Sequence, residues 1–564
     1  MLAAGVDALW VRSTDRHLNE YVPDGASTRV WLSGFTGSMG EALVTAHSAS
    51  VFVDGRYWLQ AEREVSPEWS VVRVPHGRGL DEVVRDRVDE LGRVTLGLEA
   101  DRWVTKELEE LRSELPERAQ LELLDPSPIE VARAELEPER AARAEPAPPE
   151  LRVVADERVG HRVDERLARL FSGLDHVPAV WIHPLDDIAY LSGLRARDLP
   201  HQATFRSVAV ATPTGLWVGL VAPTARPSGL PASVELMSET ELWARVETAG
   251  FERVGFDPAR TTCAVRAALA ARGIRAEPVD LPLGRMKAVK TDAEIAVMQD
   301  AFRRADRAVH RTIRWACETV DRDGIVTEAS FAEQIERNFA DEGALGQSFR
   351  TISAAGEHGA IIHYGTPSPE RELRRGELML VDCGGHFHEG YATDLTRTFL
   401  VGNAHDRGDP RQLQLYTTVL KAAIAGMSAR FPKGTTGGQL DAIVRAPIWA
   451  EGMTYAHGTG HGVGINVHEF PPRISPNHDS VLEPNMVFSI EPGIYIEDYG
   501  GVRIENLCTV RASGEHDGFL EVVPLTFSPL DHRLIDRDRL TAFEQSFLER
   551  YDRAGVESGS SKTA

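Results

Sequence analysis

The sequence predicts a multidomain chain of mixed α/β and α+β class, and three observations lead there. At 564 residues the chain exceeds what one hydrophobic core supports, which implies roughly two to four domains. Two successive stretches alternate strand-like runs with helical ones, the rhythm of α/β domains. A third stretch opens on a long helical period and continues in strands and tight turns, as an α+β domain would.

In the first stretch VDALWV, EALVTA, SVFVDGRYWLQ and RVTLGLEA read as strands and the charge-rich LDEVVRDRVDELG as a helix. Residues 132–150, ARAELEPERAARAEPAPPE, hold almost nothing large to bury and read as a linker or a solvated helix. In the second stretch VPAVWIHP, RSVAVATPTGLWVGLVAP and RVGFDP are strands and HRVDERLARLFSGL a helix. The two stretches share a rhythm but no residue-level repeat. The third opens at Thr291, an N-cap with Glu294 three residues on, and Ile295, Met298, Phe302, Ala305 and Val309 follow at helical spacing. Past Gly356 strands and tight turns run to about Val510. From Asp517 onward one helix is expected, LTAFEQSFLERYDRA, before an SGSSKTA tail expected to be disordered.

A formal charge of −23 argues against nucleic acid or an anionic membrane surface as the partner and leaves small peptides or metabolites. Cys263, Cys317, Cys383 and Cys508 lack CxxC spacing, so neither a disulfide framework nor a thiolate zinc site is indicated and a reducing cytoplasm fits. MLAAGVDALWVRSTD has no basic leader region, and nowhere do about 18 apolar residues run together.

Chemistry concentrates in the third stretch. ELMLVDCGG and ATDLTRTFLV read as a hairpin around HFHEGY, with Asp382 on one strand and Asp394 on the other. MVFSIEPGIYI and GVRIENLCTV repeat the arrangement around EDYGG, placing Glu491 and Glu505 on paired strands, with Arg503, Glu505 and Leu507 on one face. Any one of these acids alone would read as an exposed residue beside a turn. Four converging carboxylates, by contrast, repel one another prohibitively without cations, and their four charges balance two divalent ions. HGTGHGVGINVHEF, residues 457–470, adds three histidines. Its HGTGH lacks the glutamate of HExxH, and its glycines disfavour a helix, so a helical zinc protease is excluded. The glycines let an irregular loop come close to a metal, with His461 as one ligand. Carboxylates and one imidazole make a hard site, suited to Mn²⁺ or Co²⁺ rather than structural zinc.

With these pieces in order the sequence resembles the pita-bread metallopeptidases, and within them the three-domain aminopeptidase P family. GAIIHYGTP, VDCGG…YATDLTRTF, YAHGTGHGVGINVHE, SIEPGIYI and GVRIENL follow that family's catalytic domain in order, while WLSGFTGSMG, FVDGRYWLQAE and LDDIAYLSGLRARD resemble two preceding creatinase-type domains. The resemblance implies creatinase-type domains at 1–155 and 156–285, the first ending in the linker, and a pita-bread catalytic domain with a C-terminal extension at 286–564. It implies Asp382, Asp394, His461, Glu491 and Glu505 as ligands of two divalent ions, most simply Mn²⁺ with Co²⁺ or Zn²⁺ as alternatives, and Asp394 and Glu505 bridging. His363 and His468 correspond to substrate-contacting, proton-handling histidines and His457 to a third histidine lining the site; Arg56 matches an arginine that reaches the site across a homodimer. The implied reaction is hydrolysis of the first bond of peptides with proline second, Glu491 moving the proton and His363 or His468 binding the oxyanion. Prolidase, acting on dipeptides with the same ligands, is the nearest rival, and length and the middle domain argue against it. A creatinase-like hydrolase dispenses with metal, and a non-catalytic binding module typically loses ligands, whereas all five are present here. His358 stands where the family usually has asparagine, and because MLAAGVDALWV reaches its first strand within about six residues, the chain is expected to start inside the helix that usually opens the first domain. Arg503 is expected to support the ligands, His386 and His388 to be solvated in a turn, and Cys383 to be a small packing residue.

Overall fold

The computed structural model describes residues 1–559 other than 2–3, 24, 76, 117, 138–146 and 175; the middle of the expected linker and the last five residues of the SGSSKTA tail lie outside these. The chain divides into two compact units, Met1–Asp156 with His161–Leu283, and Glu157–Gly160 with Gly284–Ala564.

Two six-stranded sheets organise the first unit. Across the first the strands run Ser70–Arg73, Ala49–Val53, Glu41–Thr45, Ala8–Val11, Val94–Glu99 and Ala119–Leu124. Ala8 and Trp10 face one apolar cluster and Leu9 and Val11 the other, which is why this central strand reads as an unbroken apolar run. The second sheet runs Val234–Ser238, Gly215–Leu220, Ser207–Thr212, Val180–Ile182, Arg253–Phe256 and Arg275–Pro278. In both, the strand that comes first in sequence lies inside, antiparallel to the second and parallel to the fifth. The second and third are antiparallel, and the outer neighbours on each edge are parallel. One topology is used twice, so the shared rhythm has a structural basis even without a residue-level repeat.

The second unit opens as expected. Thr291 caps the helix Asp292–Asp321, its hydroxyl accepting from Glu294 N at 3.1 Å while Glu294 Oε2 accepts from Thr291 N at 2.8 Å. Such a cap is worth about 1 kcal/mol. Leu378–Cys383 pairs antiparallel with Ile352–Ala355 on one side and Leu395–Leu400 on the other. A six-stranded sheet runs Arg430–Pro432, Phe519–Pro524, Asn506–Ala512, Val487–Ile490, Gly460–Gly462 and Glu469–Ile474, and the expected C-terminal helix is Ala542–Glu557.

Two expectations are corrected. The stretch between Gly356 and Val510 is not strands and turns alone, because it contains the helices Pro410–Met427 and Gly437–Trp449. The first buries almost every residue from Leu415 to Met427, so it has no polar stripe and hides its helical period. The second acidic hairpin is bent. Val487–Ile490 pairs with Asn506–Ala512 in the large sheet, while Gly493–Ile496 pairs with Gly500–Arg503 in a separate two-stranded ribbon. Pro492, with no N–H for a ladder, stands at the break, so Glu491 and Glu505 sit at the bend rather than inside paired strands.

Candidate active site

The bend and the first acidic hairpin converge. Asp382 stands opposite Thr396 in the register of its strand pair, and Asp394 immediately precedes the second strand. Glu505 N donates to Thr396 O at 3.2 Å, and Thr396 Oγ1 donates to Glu505 Oε2 at 2.7 Å, which locks the bend to the hairpin. Asp394, His461 and Glu505 then each present a ligand atom within 4.8 Å of the others, all three residues buried. His461 Nε2 lies 3.5 Å from Asp394 Oδ2 and 3.5 Å from Glu491 Oε1.

The tautomer of His461 follows from its other nitrogen. Nδ1 is 3.1 Å from Gly462 O, a group that only accepts, so Nδ1 carries a proton, and in the neutral ring the Nε2 lone pair faces the carboxylates. Three more observations show an arrangement built for cations. Asp382 Oδ1 and Glu505 Oε1 are buried with no hydrogen-bond partner. Burial, then the repulsion of Glu505, Asp382 and Glu491, pushes Asp394 well above the usual carboxylate range. Burial, then Glu491 and Asp382, does the same to Glu505, and burial outweighs the pull of Arg503 to lift Glu491 to about 7. The donor set therefore fits hard divalent ions. The charge count needs one correction: Arg503 Nη2 bonds Asp382 Oδ2 at 2.6 Å, so one of the four charges is already paired.

Arg503 is the expected supporting residue, and it reaches widely. Besides Asp382 it donates from Nε to Thr396 Oγ1 at 3.0 Å and from Nη1 to Tyr495 OH at 2.8 Å. His457 continues the chain, with Nε2 2.9 Å from Tyr495 OH and Nδ1 2.6 Å from Gly458 O. Both of its ring nitrogens are thus engaged by the protein. A buried Asp441–Arg445 pair holds the backbone beside it, since Arg445 donates to Tyr455 O at 2.9 Å and to His457 O at 2.6 Å. His468 is half-buried, its ring centroid 4.3 Å from that of His461 and nearly perpendicular to it. The next residue, Glu469, meets Lys290 Nζ at 2.9 Å and Lys287 Nζ at 3.8 Å, all three buried. His363 is half-buried in the turn after Gly356–Ala360, one residue beyond Ile362, whose carbonyl is 3.4 Å from Arg503 Nη1.

The glycines give the close approach expected of them, but part of the expected irregular loop is regular. Gly460–Gly462 is a buried strand, and a Cβ on Gly460 would lie 1.9 Å from Ser489 O. A Cβ on Gly462 would lie 2.1 Å from Glu469 O. The space is filled by neighbouring backbone, which is what carries His461 up to the acids. Another correction concerns His386, which is buried on a two-residue strand with Nε2 3.1 Å from Ile465 O; His388 is exposed as expected. Cys383 packs in the core cluster, its thiol pushed up mainly by burial. Arg56 belongs to the first unit, just after Ala49–Val53, where it forks onto Asp54 with contacts of 2.9 and 2.7 Å. The sequence analysis does not single out Thr396, Tyr495, Asp441 or Arg445; the first two lie inside the quoted motifs, and the last two lie on the helix Gly437–Trp449, outside them.

Comparison with known proteins places this geometry. Residues 296–512 match the profile of metallopeptidase family M24, and 1–134 and 142–294 match two profiles described as creatinase/prolidase N-terminal domains. A probable Xaa-Pro aminopeptidase P of Metarhizium acridum is 31% identical over 96% of this chain and 91% of its own, and aminopeptidase P2 of Arabidopsis thaliana 30% over 97% and 82%. The chain belongs to the Xaa-Pro aminopeptidase P group of metallopeptidase family M24. Two creatinase-type domains followed by a pita-bread domain are therefore its fold. A crystal structure described as an X-prolyl aminopeptidase from Caenorhabditis elegans, a cytosolic enzyme with a di-nuclear active site, superposes with a TM-score of 0.86 at 25% identity, over 98% of this member and 92% of that chain. The prolidase of Pyrococcus horikoshii superposes with a TM-score of 0.53 at 26% identity; all of it is covered, but only 66% of this M24 member is. Among the described residues no helix is long and apolar enough to cross a membrane.

Proposed function

We propose that the protein is a metal-dependent aminopeptidase that hydrolyses the first bond of peptides carrying proline second. The observation that carries this is the buried Asp394–His461–Glu505 cluster, with unpartnered oxygens on Glu505 and on neighbouring Asp382, in a chain similar over 96% of its length to a probable Xaa-Pro aminopeptidase P. Asp382, Asp394, His461, Glu491 and Glu505 would hold two divalent ions, with Asp394 and Glu505 shared between them, and Mn²⁺ would suit this oxygen-rich set best. When bound, the ions supply an activated water and a polarised scissile carbonyl. Glu491 accepts the proton and delivers it to the leaving proline nitrogen. His363 or His468 donates to the developing oxyanion. His457, with both nitrogens engaged, orients Tyr495 and through it Arg503. The domains expected at 1–155, 156–285 and 286–564, a homodimer in which Arg56 serves the partner's site, and a cytoplasmic location complete the reading.

The test is a metal-reconstituted assay comparing kcat/KM on Arg-Pro-Pro, Arg-Pro and Arg-Ala-Ala. The tripeptide with proline should be cleaved well, the dipeptide much less, the control scarcely at all. A clamp for the carboxylate directly after proline would obstruct longer chains, so a dipeptide preference converts the reading to prolidase. Rapid cleavage of Arg-Ala-Ala removes the proline requirement.

A further inference from the structure

Glu328 is fully buried and begins the helix Glu328–Asp341, capped by Thr327. Its carboxylate is not spent on that helix. Oε1 accepts from Ala355 N at 2.8 Å and from His358 Nδ1 at 2.9 Å. Oε2 accepts from Tyr364 OH at 2.9 Å and from Ser368 N at 3.1 Å. All four donors lie in one segment, 355–368, whose sole helical turn is the 3₁₀ turn Gly356–Ala360. That segment contains His363. Four donors converging on two oxygens call for a group that only accepts, and a carboxylate is the side chain that does so. The backbone of Glu328 helps, its carbonyl accepting from Ser353 Oγ at 2.8 Å and its N–H donating to Arg371 O at 3.0 Å.

The opposite side of the same segment rests on the site. Ile362 O receives Arg503, which also grips Asp382, and Gly359 packs so tightly on Gly501 that a Cβ on Gly501 would lie 2.0 Å from Gly359 O. His363 thus stands between Ile362, tied to Arg503, and Tyr364, tied to Glu328. His358, which replaces the asparagine usual in the family resembled, supplies a ring N–H to Glu328 and lies against the Tyr364 ring, with centroids 4.7 Å apart.

We infer that Glu328 is a positioning residue for the reaction, acting through His363 by tying down the segment that presents it, with His358 and Tyr364 as its main side-chain donors. This rests on the proposed peptidase reading for its kinetic test, and a second measurement is independent of activity. In full-length, metal-loaded protein, Glu328→Gln, which turns an amide NH₂ toward some of these donors, should lower kcat on Arg-Pro-Pro by about 10²-fold, with KM and metal content little changed. His363→Ala should lose a comparable factor. The double variant should then be no slower than His363→Ala alone, since the first change acts only through the second residue. Losses that multiply in the double variant would overturn the inference. His358→Asn, keeping a donor, should lose less than His358→Ala. If Glu328→Gln does not fold, Tyr364→Phe removes one donor, keeps the ring, and carries the same cycle with a loss of about 10-fold. Independently, hydrogen exchange in 355–368 should quicken in Glu328→Gln, or in Tyr364→Phe if that variant is used, while exchange in Leu378–Leu400 stays unchanged. Unchanged exchange in 355–368, or loosening throughout the unit, would refute a positioning role. An inactive wild type with locally quickened exchange in the variant would remove the peptidase reading and leave the tether standing.

Discussion

The hydroxyl of Thr396 donates to Glu505 at 2.7 Å and accepts from Arg503 at 3.0 Å, so one small side chain keeps a cation and an anion apart while binding both. Arg503 spends its own charge on Asp382, and three unpaired carboxylates remain for two divalent ions. With two divalent ions bound the site would be one positive charge in excess before any anionic ligand arrives, a balance the bare count of four acids does not reveal. This separates the ligands from the histidines in a testable way. Glu505→Gln should lower metal stoichiometry and nearly eliminate turnover, because its Oε1 has no use in the fold other than a cation. His468→Ala should keep its metal but lose rate by about 10²-fold or more, as removal of an oxyanion donor does. Metal analysis beside kinetics decides the matter, and equal metal loss in both variants would contradict these roles. The acids were legible in the sequence because like charges in matched apolar hairpins demand an explanation. Thr396 and Tyr495 were not, since a hydroxyl in a strand follows the same alternation whether it packs or binds.

Elements deliver these groups by close backbone approach. His461 reaches the acids because Gly460 and Gly462 let its short strand lie against Ser489 and Glu469. Gly460→Ala would put a Cβ 1.9 Å from a carbonyl oxygen that cannot move without Val487–Ile490, and thus without Glu491 beyond it. The expected cost is about 1–3 kcal/mol of stability, as for overpacking in general, together with lost metal affinity. A thermal melt and a metal titration check it, and wild-type values in both would show that the strand yields freely. The sequence predicts close approach from these glycines but not the strand, because a partner strand cannot be seen from one segment alone. The bend in the second hairpin was hidden for a related reason: Pro492 was visible, but which sheet each half joins depends on strands far away in sequence. By contrast the helix at Thr291 announced itself through its cap and its stripe, both of which are local.

At the scale of the whole molecule, one topology is repeated in the first unit, and the second unit concentrates buried acid around a place for cations. That concentration makes stability, metal and pH interdependent, with a sign that can be worked out. In the metal-free protein burial lifts Glu491 to about 7, from an ordinary value near 4.5, and moves Asp394 and Glu505 the same way. Between those values the folded state holds a proton that the unfolded chain has released, so stability without metal falls as pH rises through the window, by an amount on the order of 3 kcal/mol for Glu491 alone. Metal has the opposite dependence. It requires deprotonated ligands, so its affinity, and the stabilisation that follows from binding only the folded state, rises over the same window. The difference in Tm between Mn²⁺-loaded and chelated protein should therefore widen from about pH 5 to about pH 8, while chelation abolishes activity and Mn²⁺ restores it better than Co²⁺ or Zn²⁺. Paired thermal melts with and without chelator across that range measure the effect. A gap that stays constant would mean that Asp394, Glu491 and Glu505 do not release protons to a shared cation, and full activity in verified metal-free protein would remove the cation from the reaction.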